Sequence, residues 1–207
     1  SVTSRRTKNP IKYKIMAPTL IYFPVAGRGQ LCRLIAKLGG IEDFVEQTSL
    51  PEGVTKADCG SGGSVPLLVD GDLKMNESTA IEYYLMSIAP KYADLTPKQK
   101  GRDAQFCAIK EDFLSAVCKP LFGGKDKDGI NACVDKMLPL IEGILPADGF
   151  INGLDFPTVA DLAVLNIVEG YMPFGAAYKH GEVDVATRFP KLFAHSEMVK
   201  AVEEVAT

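Results

Sequence analysis

Tyr22 closes a short run of β-branched and aromatic residues, Thr19 to Phe23, just before a turn made with Pro24, Gly27 and Gly29. Sites gather where strand ends meet loops at the edge of an α/β sheet. A phenol placed there can donate a hydrogen bond to a thiolate and so lower that thiol's pKa. Arg28, opening the next helical run, can reinforce negative charge nearby. Further along, Asn76-Glu77-Ser78 places an acid beside a residue suited to cap a helix. Glu77 can hold an ammonium group, and the helix N-terminus behind Ser78 attracts a carboxylate. An α-amino-acid group needs those two partners side by side. In Ser64-Val65-Pro66, a cis proline would turn the Val65 backbone outward for pairing with a short extended peptide. Each segment also has a plain structural reading: a half-buried strand aromatic, a solvated arginine, a helix cap, and a strand-opening proline.

The elements that must position these residues follow from periodicity. Thr19 to Phe23 reads as a strand, and Leu31, Leu34, Ile35 and Leu38 recur at helical spacing up to Gly39-Gly40. Phe44 to Thr48 reads as a second strand, completing a β-α-β unit. Residues 49 to 64 form a polar loop. Val65 to Val69 and Leu73 to Asn76 flank the turn Asp70-Gly71-Asp72 as a hairpin. A helix then runs from Glu77-Ser78 through Ile81, Tyr84, Leu85 and Ile88. Helical spacing dominates from Pro97 onward, with breaks at 120 to 127, 146 to 153 and 173 to 184. The fold class is therefore α/β followed by all-α, with the boundary in 90 to 97. Thr158 and Asp161 form a capping box whose role is folding.

The 207 residues suit one large or two small domains, and 46% are apolar, enough for a core. The net charge of −3 gives no sign of nucleic acid. Residues 1 to 15 carry five positive charges, which leaves −8 on the remainder. That stretch lacks the apolar run of a secretory signal and reads as a basic leader or an expression remnant. No apolar run approaches the ~18 residues of a membrane span. Cys32, Cys59, Cys107, Cys118 and Cys133 are odd in number and lack paired-ligand spacing, as expected for free thiols in a reducing compartment. Cys32, Cys107 and Cys118 sit at helical core positions. Neither His180 nor His195 joins a cysteine in metal-binding spacing, so no metal site is expected.

The segments LIYFPVAGRGQLCRLIAKLGG (20 to 40), GSVPLLVDGDLKMNESTAIEYYL (63 to 85), FINGLDFPTVADL (150 to 162) and FPKLFAH (189 to 195) occur in an order that resembles the cytosolic glutathione transferases. The resemblance spans about residues 18 to 205 and is nearest to the sigma class and its alpha, mu and pi relatives. It implies a thioredoxin-like glutathione-binding domain over 16–90 and an all-helical domain over 97–207. It further implies a cytoplasmic homodimer with a detoxifying role, bound to neither nucleic acid nor membrane. Glutathione would be a co-substrate, with no tightly bound cofactor. Tyr22 matches the family's catalytic tyrosine and Arg28 the arginine of its Gly-Arg pair. Val65, ahead of Pro66, matches the residue that pairs with the cysteinyl part of glutathione. Glu77 and Ser78 match the pair that binds the γ-glutamyl end. Glu111 falls where sigma-like enzymes place an acid reaching the partner's glutathione.

The sequence departs from the pattern at the glycyl end of glutathione. It has no tryptophan, Leu50 stands in that position, the following lysine becomes Lys56, and the lysine before the proline pair is Ser64. Phe23, Val25, Phe113, Leu114, Leu121 and Phe122 are the expected walls of a pocket for a hydrophobic electrophile.

Three other readings bear on the same residues. The first is a relative that has lost catalysis and serves in binding or structure. The second, a cysteine-type thiol transferase, needs a cysteine in Tyr22-Phe23-Pro24-Val25 and finds none. The third, a dinucleotide enzyme, fails because Cys32 stands where the third fingerprint glycine belongs. Lys125 to Gly129 lacks the ligands of a calcium loop.

Overall fold

A computed structural model describes residues 17–202; the basic stretch 1 to 15 lies outside them. Four short strands form one sheet: β1 (Thr19–Ile21), β2 (Val45–Gln47), β3 (Leu67–Asp70) and β4 (Leu73–Met75). Their order is β2-β1-β3-β4, with β1 parallel to β2 and antiparallel to β3. The β3-β4 pair is antiparallel around the expected hairpin. Helices α1 (Gln30–Gly39) and α2 (Ser78–Ile88) pack on this sheet. Leu31, Leu34, Ile35 and Leu38 of α1 are buried with Leu20, Leu68, Ile81 and Leu85. This arrangement is thioredoxin-like. Strands β1, β2 and β4 stop short of the hydrophobic runs that announce them, and β3 starts after Pro66, because ladder pairing ends before the apolar residues do.

The rest of the described chain is helical. It comprises α3 (Pro97–Phe122), α4 (Lys127–Ile144), α5 (Val159–Val168), α6 (Phe174–Gly181), α7 (Val185–Arg188) and α8 (Pro190–Lys200). Thr96 and Gln99 form a capping box that starts α3, and Asp126 accepts the Gly129 amide to start α4. Every residue of α5 is buried, so it is the axis of the bundle. Helix α6 occupies part of the stretch 173 to 184, where a break is expected from the sequence. Phe174, Ala177, Tyr178 and Gly181 keep helical spacing and are buried there, but flanking Pro173 and Gly170 obscure the pattern.

One satellite core lies under the 49 to 64 loop. Leu50, Val54 and Val65 pack there against Ile21, Cys59 and Leu67. Cys32 and Cys107 are buried as expected, whereas Cys118 is only half-buried.

Candidate functional site

Immediately after β1, the Tyr22 ring lies over the Gly27-Arg28-Gly29 turn. A Cβ at Gly27 would stand 2.2 Å from the Tyr22 hydroxyl, and one at Gly29 would stand 2.6 Å from the ring. Both glycines are thus required by the close approach of this ring, and Gly27 also has a positive φ of 45°. The Arg28 backbone N–H donates to Tyr22 Oη at 2.9 Å. The phenol oxygen accepts there, so its own proton remains available to a ligand. Arg33 braces the turn by donating to the carbonyls of Phe23, Val25 and Ala26, and its guanidinium lies 5.8 Å from the Tyr22 ring centroid.

Two cavities border Arg28 of this turn. The first, of about 360 Å³, is polar and is lined by Arg28, Ser64, Val65, Pro66, Glu77, Ser78, Thr79, Glu111 and Ser115. The Val65-Pro66 bond is cis. Glu77 has φ 67° and ψ 108°, a conformation that side-chain-bearing residues seldom adopt. Strain of this sort costs about 1–3 kcal/mol and collects at binding sites. Glu77 rather than Ser78 is the residue before the helix, which corrects the expectation that Ser78 is the N-cap. Ser78 begins α2, and its buried hydroxyl donates instead to Glu111 Oε2 at 3.3 Å. The turn at Glu77 carries the chain into α2 one residue early and frees Ser78 for this contact.

Glu111 stands inside the cavity of its own chain. Its Oε1 accepts from Arg28 Nε at 2.8 Å and from Ser115 Oγ at 3.1 Å. Within its own chain the carboxylate ties α3 to the Tyr22 turn. Leu50 and Lys56 do not line this cavity. Leu50 packs in the satellite core, and Lys56 Nζ donates to the Gly63 carbonyl at 2.6 Å. The hydrophobic side of the loop turns Leu50 inward, and the nearby carbonyl captures the ammonium.

The second cavity, of about 190 Å³, is mainly apolar. Tyr22, Phe23, Val25, Gly27, Arg28, Leu114, Cys118, Phe122, Met172 and Pro173 line it. Of the expected electrophile residues, Phe23, Val25, Leu114 and Phe122 are therefore brought together. Phe113 and Leu121 are not, because they lie on the core side of α3, where Phe113 stacks on Phe174 at 5.1 Å. Cys118, Met172 and Pro173 are additions that the sequence pattern does not foresee. Cys118 follows Leu114 by one helical turn, a signal that was available. Nothing local marks Met172, whose carbonyl accepts the Gly27 N–H at 2.9 Å and so joins the α5-α6 connection to the Tyr22 turn. Burial pushes the Cys118 thiol above its usual range, against a pull downward from Arg28. Arg28 borders both cavities and stands between them.

The second half carries a separate buried cluster. The reciprocal capping pattern of Thr158 and Asp161 is present. Asp161 accepts from the Thr158 and Ile151 amides at 2.8 Å each, and His195 Nε2 lies 3.0 Å from it. Asp103 accepts from the Thr158 hydroxyl, the Ala160 amide and Asn152. Burial pushes the Asp103 carboxyl up to about 6, against these hydrogen bonds. Among the described residues, no three His, Cys, Asp or Glu are grouped to hold a metal, and no helix is long and apolar enough to cross a membrane.

Neither a family model nor a curated protein matches the chain. Solved structures do. A Nu-class glutathione transferase from Haemonchus contortus is 23% identical with a TM-score of 0.68, covering 91% of this chain and 93% of its own. The glutathione S-transferase of Ascaris lumbricoides is 23% identical with a TM-score of 0.70, covering 91% and 94%. The Pi-class enzyme of Onchocerca volvulus is 21% identical with a TM-score of 0.69, covering 92% and 91%. The fold is that of the glutathione transferases. Because Nu-class and Pi-class structures match alike, the glutathione transferase fold seen here is common to several classes rather than particular to the sigma class.

Proposed function

We propose that the protein is a Tyr-type glutathione transferase in which Tyr22 activates the thiol of glutathione for attack on a hydrophobic electrophile. The observation that carries this reading is the 2.9 Å hydrogen bond from the Arg28 amide to Tyr22 Oη, which ties the phenol in the wall of the apolar cavity to the residue that also borders the polar one. The phenol oxygen accepts in that bond, so its proton would be left for a bound thiolate. In the polar cavity, Glu77 would hold the γ-glutamyl ammonium, and Ser78 with the start of α2 its carboxylate. The Val65 backbone ahead of Pro66 would pair with the cysteinyl part.

A free thiol has a pKa near 8.5. Donation from Tyr22, with the Arg28 charge beside it, would favour the thiolate. Lowering the thiol pKa to ~6.5 takes ~2.7 kcal/mol of preferential stabilisation and makes the thiolate the main form at neutral pH. The thiolate then forms a bond to the electrophilic carbon and expels the leaving group. Phe23, Val25, Leu114, Phe122 and Met172 supply an apolar surface for that partner. The setting implied by the resemblance is a cytoplasmic homodimer with a role in detoxification, built from units over 16–90 and 97–207.

A chlorodinitrobenzene conjugation assay on the wild type and Tyr22→Phe tests this reading. Turnover that falls by about ten-fold or more, ~1.4 kcal/mol, supports it. Equal rates would remove Tyr22 from the chemistry. A second reading, a relative that binds glutathione without turning it over, is favoured by the placement of Leu50 and Lys56 outside the polar cavity. It predicts glutathione binding with no conjugation by the wild type.

A further inference from the structure

Behind the polar cavity lies a charged pair that the proposed chemistry does not use. Glu82 of α2 and Lys110 of α3 are 0% and 1% exposed, and Lys110 Nζ meets Glu82 Oε1 at 2.6 Å. Taking such a pair out of water costs several kcal/mol per ion, and an apolar pair of similar volume is often as stable or more so. Fold stability alone is a poor account of it.

The surroundings show where the pair leads. Cys32 of α1 and Cys107 of α3 feel its charges, and burial first and then the Glu82 charge push both thiols up, so neither supplies an anion to Lys110. Burial likewise pushes the Glu82 carboxyl up to about 7, although Lys110 opposes it. Burial pulls on Lys110 in the opposite sense, but Glu82 and then Glu111 outweigh it and keep the ammonium charged. The second anion that Lys110 faces is Glu111, whose Oε2 is 3.5 Å from Nζ. Glu111 is the carboxylate that grips Arg28 and receives the Ser78 hydroxyl. Glu82, Lys110, Glu111 and Arg28 thus form a line of alternating charge from the core to the cavity wall.

We infer that Lys110 is a positioning residue for the glutathione pocket. Its stem is locked in the core, so its ammonium is a fixed point that holds the Glu111 carboxylate where it meets both Arg28 and Ser78. Arg28 is 39% exposed and cannot hold Glu111 so firmly by itself. Glu82 balances the buried cation. A preorganised pocket binds its ligand more tightly because less order must be created on binding. The inference rests on the reading of the polar cavity as a glutathione site.

Calorimetric titration of glutathione into the wild type and two double variants tests it. Glu82→Gln with Lys110→Met removes both charges and keeps the volume. Glu82→Lys with Lys110→Glu keeps a buried pair but sets an anion against Glu111. The expected result is a Kd about five-fold weaker in the neutral variant, and weaker still in the reversed one, with the electrophile KM unchanged in both. A pair with only a structural role would leave the Kd of the folded reversed variant alone. If the reversed variant does not fold, the neutral one decides. A neutral variant that binds within two-fold of wild type overturns the inference, as does one that cannot fold. Wild-type protein that does not bind glutathione overturns the reading of the cavity first, and the role of Lys110 with it.

Discussion

Two buried polar clusters in this molecule invite comparison. The Asp103-Thr158-Asp161-His195 cluster sits among α3, α5 and α8, and its hydrogen bonds end on backbone amides and side chains of the bundle. The Glu82-Lys110-Glu111-Arg28 line starts equally deep but ends on the Tyr22 turn at the cavity wall. Burial raises one carboxyl in each, Asp103 and Glu82. The difference lies in the far end: a network that ends mainly on backbone amides stabilises the fold, whereas one that ends on the side chains of Arg28 and Ser78 can hold a ligand-binding wall in place.

The largest test of this contrast is Asp161→Ala. It strands two amides that now have an acceptor, each costing about 1–3 kcal/mol. Urea unfolding should show a loss of roughly 3 kcal/mol, with activity per folded molecule unchanged. A comparable loss of activity without loss of stability would erase the distinction.

Next comes pH. Asp103 has a raised folded pKa, so the folded state keeps a proton that the unfolded chain has already released. Stability therefore falls as pH rises from about 4 to about 6. A tenfold difference in proton affinity between the folded and unfolded chain is worth roughly 1.4 kcal/mol, so this group should make the protein more stable at pH 5 than at pH 7.5 by on the order of 1 kcal/mol. Below about 4 the trend reverses, as exposed carboxylates lowered by hydrogen bonds, such as Asp58 and Asp184, take up protons. Urea midpoints across this range check the sign, and Asp103→Asn should flatten the slope.

Of similar size is Glu111→Gln, which weakens the grip on Arg28. It should raise the KM for glutathione about five-fold, ~1 kcal/mol, with little change in unfolding midpoint. A shift in midpoint without a shift in KM would move Glu111 into the structural class. Phe122→Ala, at the exposed edge of the apolar cavity, should raise the electrophile KM roughly three-fold, on the order of 0.6 kcal/mol. The glutathione KM should hold, which separates the two cavities.

Much of the polar cavity was legible because its parts are local. Strand pairing and one helix start bring Val65 and Glu77 to the end of the sheet where Tyr22 stands, and each sits in a short motif with a definite backbone requirement. The apolar cavity was only half legible. Helical spacing says that Phe113 and Leu114 are apolar, but α5 and α6 decide that Phe113 faces Phe174 while Leu114 faces the opening. The expected roles of Leu50 and Lys56 followed sequence order through a loop whose own packing turns one inward and engages the other.

The sequence by itself therefore determined the class of fold, the turn around Tyr22 and the presence of α2, though not its cap, since periodicity and backbone preference act over a few residues. Tertiary structure alone decided that Ser78 meets Glu111, that Met172 closes the apolar wall and that Lys110 stands between two carboxylates. Apart from the neighbouring Lys110 and Glu111, those contacts join residues tens of positions apart, and only the packing of α1, α2, α3 and α5 fixes which side chains are left to meet.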